Sequence, residues 1–167
     1  MQRSVLPSSI ALLLAISTVS CSSTVVPESP TQPTELSAGA SASFSTATPT
    51  VVAQSVGHAG GCPAIAPFSA PIQLVVRVNG GVNVFITQIQ MQFTDPFRIE
   101  MPQVTLTAPI LTKQFGTALV EARSTRTFAL TLPVGCGTDR KGTATVRVDT
   151  RDAHGRNQSG QVSVAVR

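Results

Sequence analysis

The sequence predicts an all-β domain built as a two-sheet sandwich, and three observations carry that prediction. Alternating apolar and polar residues recur in six runs after residue 57, which is the period of strands with one buried face. Valine and threonine, whose branched side chains fit a pleated sheet, are abundant, whereas Trp and Tyr are absent. Gly, Pro, Asn and Asp separate the runs. About seven short strands in roughly 110 residues favour two packed antiparallel sheets.

Each of the six runs predicts one strand, and the connections between them have turn chemistry. Asn79-Gly80-Gly81 predicts a tight hairpin between the first two runs, and residues 152–157 join the last two. No stretch after residue 57 has the apolar spacing of an amphipathic helix. The apolar faces of the runs comprise Ile72, Leu74, Val76 and Val78; Phe85, Thr87, Ile89, Met91 and Phe93; Val104 and Leu106; Phe128, Leu130 and Leu132; Ala144, Val146 and Val148; Val162, Val164 and Val166.

The first 20 residues predict a signal peptide. Arg3 supplies a positive charge, and the apolar stretch Ile10–Val19 is shorter than the roughly 20 residues that cross a membrane. The sequence Thr18-Val19-Ser20-Cys21 resembles the lipobox of bacterial lipoproteins, with Thr18 in place of the usual large aliphatic residue. The resemblance implies that Cys21 is lipidated and that the protein is held in the bacterial envelope, on the periplasmic or cell-surface side. Ordinary secretory cleavage near Cys21 is the alternative.

The number of cysteines agrees with lipidation. The chain has three, and an odd cysteine in a secreted protein needs an explanation. Cys62 and Cys136 each stand beside glycine in the later part of the chain, and an oxidising compartment would let them form a disulfide. Cys21 would then be left at the position where the acyl chain is attached.

Residues 21–56 are predicted to form a disordered tether between the lipid and the domain. Ser, Thr, Pro and Ala dominate the segment, and its only charges are Glu28 and Glu35. Such a segment buries too little apolar surface to offset the entropy lost on ordering. The alternative is a first strand around Thr50–Gln54. The domain is therefore expected to span Gly57–Arg167.

The last two predicted strands resemble the closing hairpin of immunoglobulin-like and fibronectin-like domains. They run from Thr143 to Val166 and are joined by a polar turn. The resemblance implies an immunoglobulin-like sandwich over residues 57–167. The Cys-Trp-Cys pattern and the tyrosine corner of antibody domains are both missing, since the chain has no Trp and no Tyr. A generic bacterial immunoglobulin-like module is therefore expected rather than an antibody-type domain.

No motif of catalysis or metal binding stands out in the chain. It has no Gly-x-Ser-x-Gly elbow and no His-Glu-x-x-His helix signature. Its two histidines, His58 and His154, lack the further ligands that a metal site requires. We therefore predict a protein that is not an enzyme, with no cofactor, no metal and no nucleic-acid partner. An unrecognised hydrolase is the least favoured alternative.

The basic residues suggest one candidate binding surface. Eight of the twelve Lys and Arg residues lie from Arg123 onward. Cations on one side of a predicted strand could contact anionic envelope polymers, although a solvated sheet face is the simpler explanation. The cations of this candidate basic face are Arg140, Lys141, Arg147, Arg151 and Arg156.

The expected function combines these predictions. The protein would be a non-catalytic, envelope-anchored module with a structural or adhesive role, attached to the membrane by its N-terminal lipid. The alternative is an accessory factor that binds another envelope protein, for example by adding a strand at a sheet edge.

Overall fold

The computed structural model describes residues 40–56, 68–134 and 140–167. Residues 1–39, 57–67 and 135–139 lie outside this description, and with them the predicted signal peptide and all three cysteines. The elements are β1 Ala42–Thr46, β2 Thr50–Val51, β3 Gln54–Ser55, β4 Phe68–Val78, β5 Val84–Thr94, β6 Val104–Thr107, α1 Ala108–Phe115, β7 Leu119–Val120, β8 Thr125–Val134, β9 Gly142–Asp152 and β10 Asn157–Val166.

The strands form two sheets, which confirms the predicted all-β sandwich. In the smaller sheet β4 is central, with β8 along one side and the short strands β1 and β3 sharing the other. In the larger sheet the order is β2-β10-β9-β5, and β6 and β7 share the outer side of β5. The described residues form ten strands rather than about seven, because short edge strands flank the long ones.

The core lies between the two sheets and follows from the period-two alternation of the long strands. Ile72 and Leu74 of β4 face inward from the smaller sheet, and Val146 and Val148 of β9 face inward from the larger one, all fully buried. Each such side chain contributes roughly 1.5–3 kcal/mol when it is removed from water. The apolar faces predicted for β4, β8 and β9 are thus the buried faces.

The predicted domain boundary at Gly57 is wrong. Residues 40–56 belong to the same compact unit as the later strands. β1 pairs antiparallel with β4, and β2 then pairs in parallel with β10, so this segment passes from one sheet to the other. Ala42, Val51 and Ala53 are buried. The alternative, a strand near Thr50, is correct. Composition did not reveal it, because Ser and Thr are as common on an exposed strand face as in a disordered tether.

The first part of β5 has the opposite face from the one predicted. Phe85 is exposed and Ile86 is buried, whereas Ile89 and Met91 are buried as expected. The register between β5 and β9 shifts between Ile86 and Gln88. A bulge at Thr87 adds one residue to β5. The buried residues before it are therefore even-numbered, and those after it are odd-numbered.

Two further expectations about connections fail. Helix α1 was not predicted, because it has only two turns and only one fully buried residue, Leu111. Residues 79–83 do not make a hairpin: β4 lies in the smaller sheet and β5 in the larger, so the segment crosses between sheets. Gly80 is needed in that crossing, because a Cβ there would collide with the backbone of Ala40.

Candidate functional site

The turn between β9 and β10 is organised around one carboxylate. Oδ1 of Asp152 accepts hydrogen bonds from the backbone N–H groups of His154 and Arg156, each at 2.9 Å. The backbone of Asp152 also bonds to Arg156 and Gly155, and Gly155 has a positive φ of 80°. The Arg156 guanidinium donates to Oδ2 at 2.8 and 2.9 Å. The turn is therefore fixed by its own carboxylate and ion pair.

The surroundings of Asp152 keep it ionised. Its side chain is only 4% exposed. Desolvation acts to raise the pKa, but the backbone and guanidinium hydrogen bonds from Arg156, with that from the His154 N–H, outweigh it and hold the pKa of Asp152 below its ordinary value. Asp152 thus acts as an ionised acceptor at the end of the sandwich where the described chain begins.

The turn that follows β5 has the same hydrogen-bond pattern. Oδ1 of Asp95 accepts from the backbone N–H groups of Phe97 at 2.9 Å and Ile99 at 2.7 Å. The Asp95 N–H donates to the Ile99 carbonyl at 3.0 Å, and the Arg98 N–H donates to the Asp95 carbonyl at 3.1 Å. The fourth residue again has a positive φ, here 65° at Arg98. We call residues Asp95–Ile99 the apolar turn.

The side chains of the apolar turn distinguish it from the Asp152 turn. Phe97 is 77% exposed and Ile99 is 57% exposed, the two most exposed large aromatic or isoleucine side chains among the described residues. The two ends of the turn are joined by an isolated bridge between Thr94 and Glu100 and by a 2.9 Å hydrogen bond from Gln92 Nε2 to Glu100. Two large apolar groups are therefore presented to solvent on a fixed backbone.

Sequence reasoning missed this site. Asp95-Pro96 marked only the end of a strand, and Arg98 gives no sign of a positive φ, whereas Gly155 in the other turn does. The usable signal was the spacing of Phe97 and Ile99 after Asp95 in a segment outside the alternating runs.

Two members of the candidate basic face lie together on β9. Arg147 and Arg151 point outward from the larger sheet, as predicted. Arg147 Nε lies 3.3 Å from Oδ1 of Asp149, and Arg151 Nε donates to the Gly155 carbonyl at 3.2 Å. The positive charge of Arg147 is therefore offset beside it.

The other three predicted cations do not extend this pair into one stripe. Arg156 is bound to Asp152 in the turn. Arg140 lies at the opposite end of β9, with its guanidinium 5.6 Å from the ring centre of Phe68. Lys141 is exposed next to it. The structure thus separates the five residues along the strand, and Arg147 and Arg156 are each paired to an aspartate.

A pocket of about 310 Å³ lies beside the Asp152 turn, and its polar groups serve the fold. The Gln158 side-chain amide accepts from the Ala42 N–H at 2.9 Å and donates to the Ala42 carbonyl at 2.6 Å. Thr150 Oγ1 donates to the Gln158 carbonyl at 3.0 Å. The bonds between Gln158 and Ala42 join β10 to β1 across the two sheets. Residues 40–56, 68–134 and 140–167 contain no group of three potential metal ligands.

Comparison with known proteins supports the fold alone. No family model and no curated protein matches the chain. Among solved structures, a Bordetella pertussis protein described as ApaA is similar with a TM-score of 0.53 and 12% identity, over 77% of this chain and 95% of that one. The sporulation control protein Spo0M of Bacillus subtilis has a TM-score of 0.35 and 13% identity, over 77% of this chain and 49% of its own. No helix within the described residues has the length and hydropathy of a membrane span.

Proposed function

We propose that this chain is a non-catalytic binding module of the bacterial envelope, anchored by a lipid on Cys21, that contacts its partner through the apolar turn. The observation that carries the proposal is the exposure of Phe97 and Ile99 on a backbone fixed by Asp95. Such a contact would suit a structural or adhesive role on the envelope.

The cost of building the apolar turn favours a binding role. A non-glycine residue at positive φ costs roughly 1–2 kcal/mol, and Arg98 occupies such a position. Exposed large apolar side chains gain nothing for the isolated domain, and patches of them mark interaction surfaces. A contact that is already ordered loses little conformational entropy when a partner binds. Phe and Arg are also enriched at the centres of protein interfaces.

The first described residue and the apolar turn lie at opposite ends of the sandwich. The described chain begins at Ala40, next to Gly80 and the Asp152 end of β9. The apolar turn follows Thr94, which pairs with Thr143 at the other end of β9. An 11-residue strand such as β5 spans about 36 Å. The apolar turn is thus remote from the point at which the chain enters the described domain.

The proposed disulfide between Cys62 and Cys136 is supported by the strands beside it. Both cysteines lie outside the described residues, but Phe68 and Val134, which follow and precede them in the chain, are direct register partners of β4 and β8. A disulfide that closes a loop of this length would stabilise the fold by roughly 4 kcal/mol in the chain-entropy model. A thiol count on secreted protein should find neither cysteine free. The Cys21→Ala variant should move the protein from the membrane to the soluble fraction.

The binding role is tested by cross-linking inside the cell envelope. A photoreactive phenylalanine analogue placed at position 97 should give adducts that are lost when Asp95→Ala dismantles the turn. The matched control is the same analogue at Ile110, an exposed apolar residue on α1. Equal adduct yields at positions 97 and 110 would reject the apolar turn as a contact site.

The nature of the adduct separates the two candidate roles. One dominant protein adduct would favour an accessory factor for another envelope protein. Adducts spread over glycan or lipid would favour a structural or adhesive module.

A further inference from the structure

The edges of the two sheets differ in how their unpaired backbone groups are covered. An uncovered edge strand is a template for pairing with another strand, and proteins normally block it. At the edge of the smaller sheet formed by β1, the Gln158 amide occupies the N–H and carbonyl of Ala42. At the β10 edge of the larger sheet, β2 covers the last residues and the Phe44 ring lies against Gly160. At the β5 side, the edge strands β6 and β7 have only four and two residues, and α1 begins directly after β6. Such short edge strands offer little template for pairing.

The fourth edge, formed by β8, has no such cover. In the described part of the chain, β8 pairs with β4 alone over its ten residues. The Val78 N–H donates to the Ser124 carbonyl, on the β8 side of β4. The Gln73 carbonyl of β4 instead accepts from Ala47, and the N–H of Asn79, the residue after β4, donates to Ser41, both on the β1 side. The even-numbered residues of β4, and hence their even-numbered partners on β8, therefore bond within the sheet. The outward backbone groups of β8 belong to Thr125, Thr127, Ala129, Thr131 and Pro133.

The side chains at these five positions suit close approach by another strand. All five are exposed, small and uncharged. Lysine on an edge strand is a common device against edge pairing, and no charged residue occurs among these five. Pro133 lacks an N–H and so ends the row of donors. Arg126, the one charged residue of β8, points instead to the carbonyls of Phe115 and Leu119.

We infer that the occupant of this edge is β8 of a second copy of the chain, paired antiparallel about a two-fold axis at Ala129. In that register Ala129 faces itself, and Thr127 faces Thr131 of the partner subunit. The four outward N–H donors at residues 125, 127, 129 and 131 then find acceptors at 133, 131, 129 and 127. The smaller sheets of two copies join into one continuous sheet.

Self-complementarity is the reason for choosing a second copy over a foreign strand. Every outward donor is used, and the one missing donor, at Pro133, falls at the end of the pairing. Threonine opposite threonine is a favourable cross-strand pair, and no like charges meet. An interface made of one strand pair buries less surface than a standard stable complex, so the dimer is expected to be weak and concentration-dependent.

Sedimentation equilibrium of the secreted chain carrying Cys21→Ala, from micromolar to millimolar protein, tests this inference. The chain should shift from monomer to dimer with rising concentration. Ala129→Lys sets two like charges against each other at the axis and should raise the dissociation constant by about tenfold or more. The control Ser163→Lys adds the same charge on the outer face of the larger sheet and should leave the dissociation constant unchanged.

The register has its own test. Thr127→Lys combined with Thr131→Glu, in a chain that keeps Ala129, places opposite charges across the axis. This double variant should dimerise at least as tightly as the unaltered chain, and therefore more tightly than Ala129→Lys. Circular dichroism should show that all variants are folded. A chain that stays monomeric at every concentration would overturn the inference and leave the β8 edge to a strand of another protein. A dimer that resists Ala129→Lys would also overturn it.

Discussion

Two turns of this protein share one backbone pattern and differ in nearly everything else. In each, an aspartate at the end of a long strand accepts two N–H groups on one carboxylate oxygen, and the fourth residue has a positive φ. At the Asp152 turn that fourth residue is Gly155, and the carboxylate is buried with Arg156 bound to it. At the apolar turn the fourth residue is Arg98, and the carboxylate is only partly buried.

The difference separates stability from function. The Asp152 turn has Gly155 at its position of positive φ, where glycine is not strained. Its buried carboxylate is satisfied by the Arg156 guanidinium. In the apolar turn Arg98 has a positive φ, and Phe97 and Ile99 are exposed to solvent. Both features lower the stability of the isolated domain. The same turn is thus used once to close the sandwich and once, by our proposal, to hold a contact surface.

Removing each aspartate should show the largest contrast between the two turns. Asp152→Ala leaves the partly buried N–H groups of the turn and the Arg156 guanidinium without their acceptor, so it should lower the thermal midpoint by several degrees. Asp95→Ala exposes its N–H groups to water and should cost distinctly less. Thermal unfolding followed by circular dichroism measures both. Equal losses would mean that burial does not distinguish the two turns.

Acid should weaken the Asp152 turn in a defined range. Because the folded-state pKa of Asp152 lies below its ordinary value, its contribution is complete above the unfolded pKa of about 3.9 and is lost as pH falls through the folded pKa. Urea unfolding between about pH 6 and pH 2 should therefore show a fall in stability that Asp152→Asn reduces. A pH profile unchanged by Asp152→Asn would contradict this assignment.

Exchanging the fourth residues should have a smaller effect of opposite sign in the two turns. Arg98→Gly removes a left-handed non-glycine residue and should stabilise the fold by about 0.5–1 kcal/mol. Gly155→Ala introduces one and should destabilise it by about 1 kcal/mol. No contact forbids the added Cβ at Gly155, since the nearest atoms belong to the Arg151 side chain at 3.6 Å or more. Chemical denaturation of both variants measures the two changes.

The sequence was informative wherever a long strand kept its alternation. The buried faces of β4, β8 and β9 follow directly from the period-two pattern, because a strand that spans the core must place every second residue inside. The antiparallel pairing of β9 with β10 was also predictable from the turn between them. These elements alone define both sheets.

The failures have local physical causes. The bulge at Thr87 reversed the face of Phe85, and a single inserted residue leaves no mark on composition. β2 and β3 have two residues each, too few to show any period. The apolar turn was missed because the positive φ of Arg98 is imposed by the hydrogen bonds of Asp95 rather than by the residue itself.

If the apolar turn serves binding and the Asp152 turn serves stability, one paired measurement should separate the two roles. Co-sedimentation with washed bacterial envelopes and the free energy of unfolding would be measured for the Cys21→Ala chain carrying either Phe97→Ser with Ile99→Ser or Asp152→Ala. The double variant Phe97→Ser, Ile99→Ser should abolish envelope binding. It should change the free energy of unfolding by less than about 0.5 kcal/mol, as substitutions of exposed residues do. Asp152→Ala should lower stability and leave binding of the folded fraction intact. Envelope binding that survives the loss of both Phe97 and Ile99 would contradict the account.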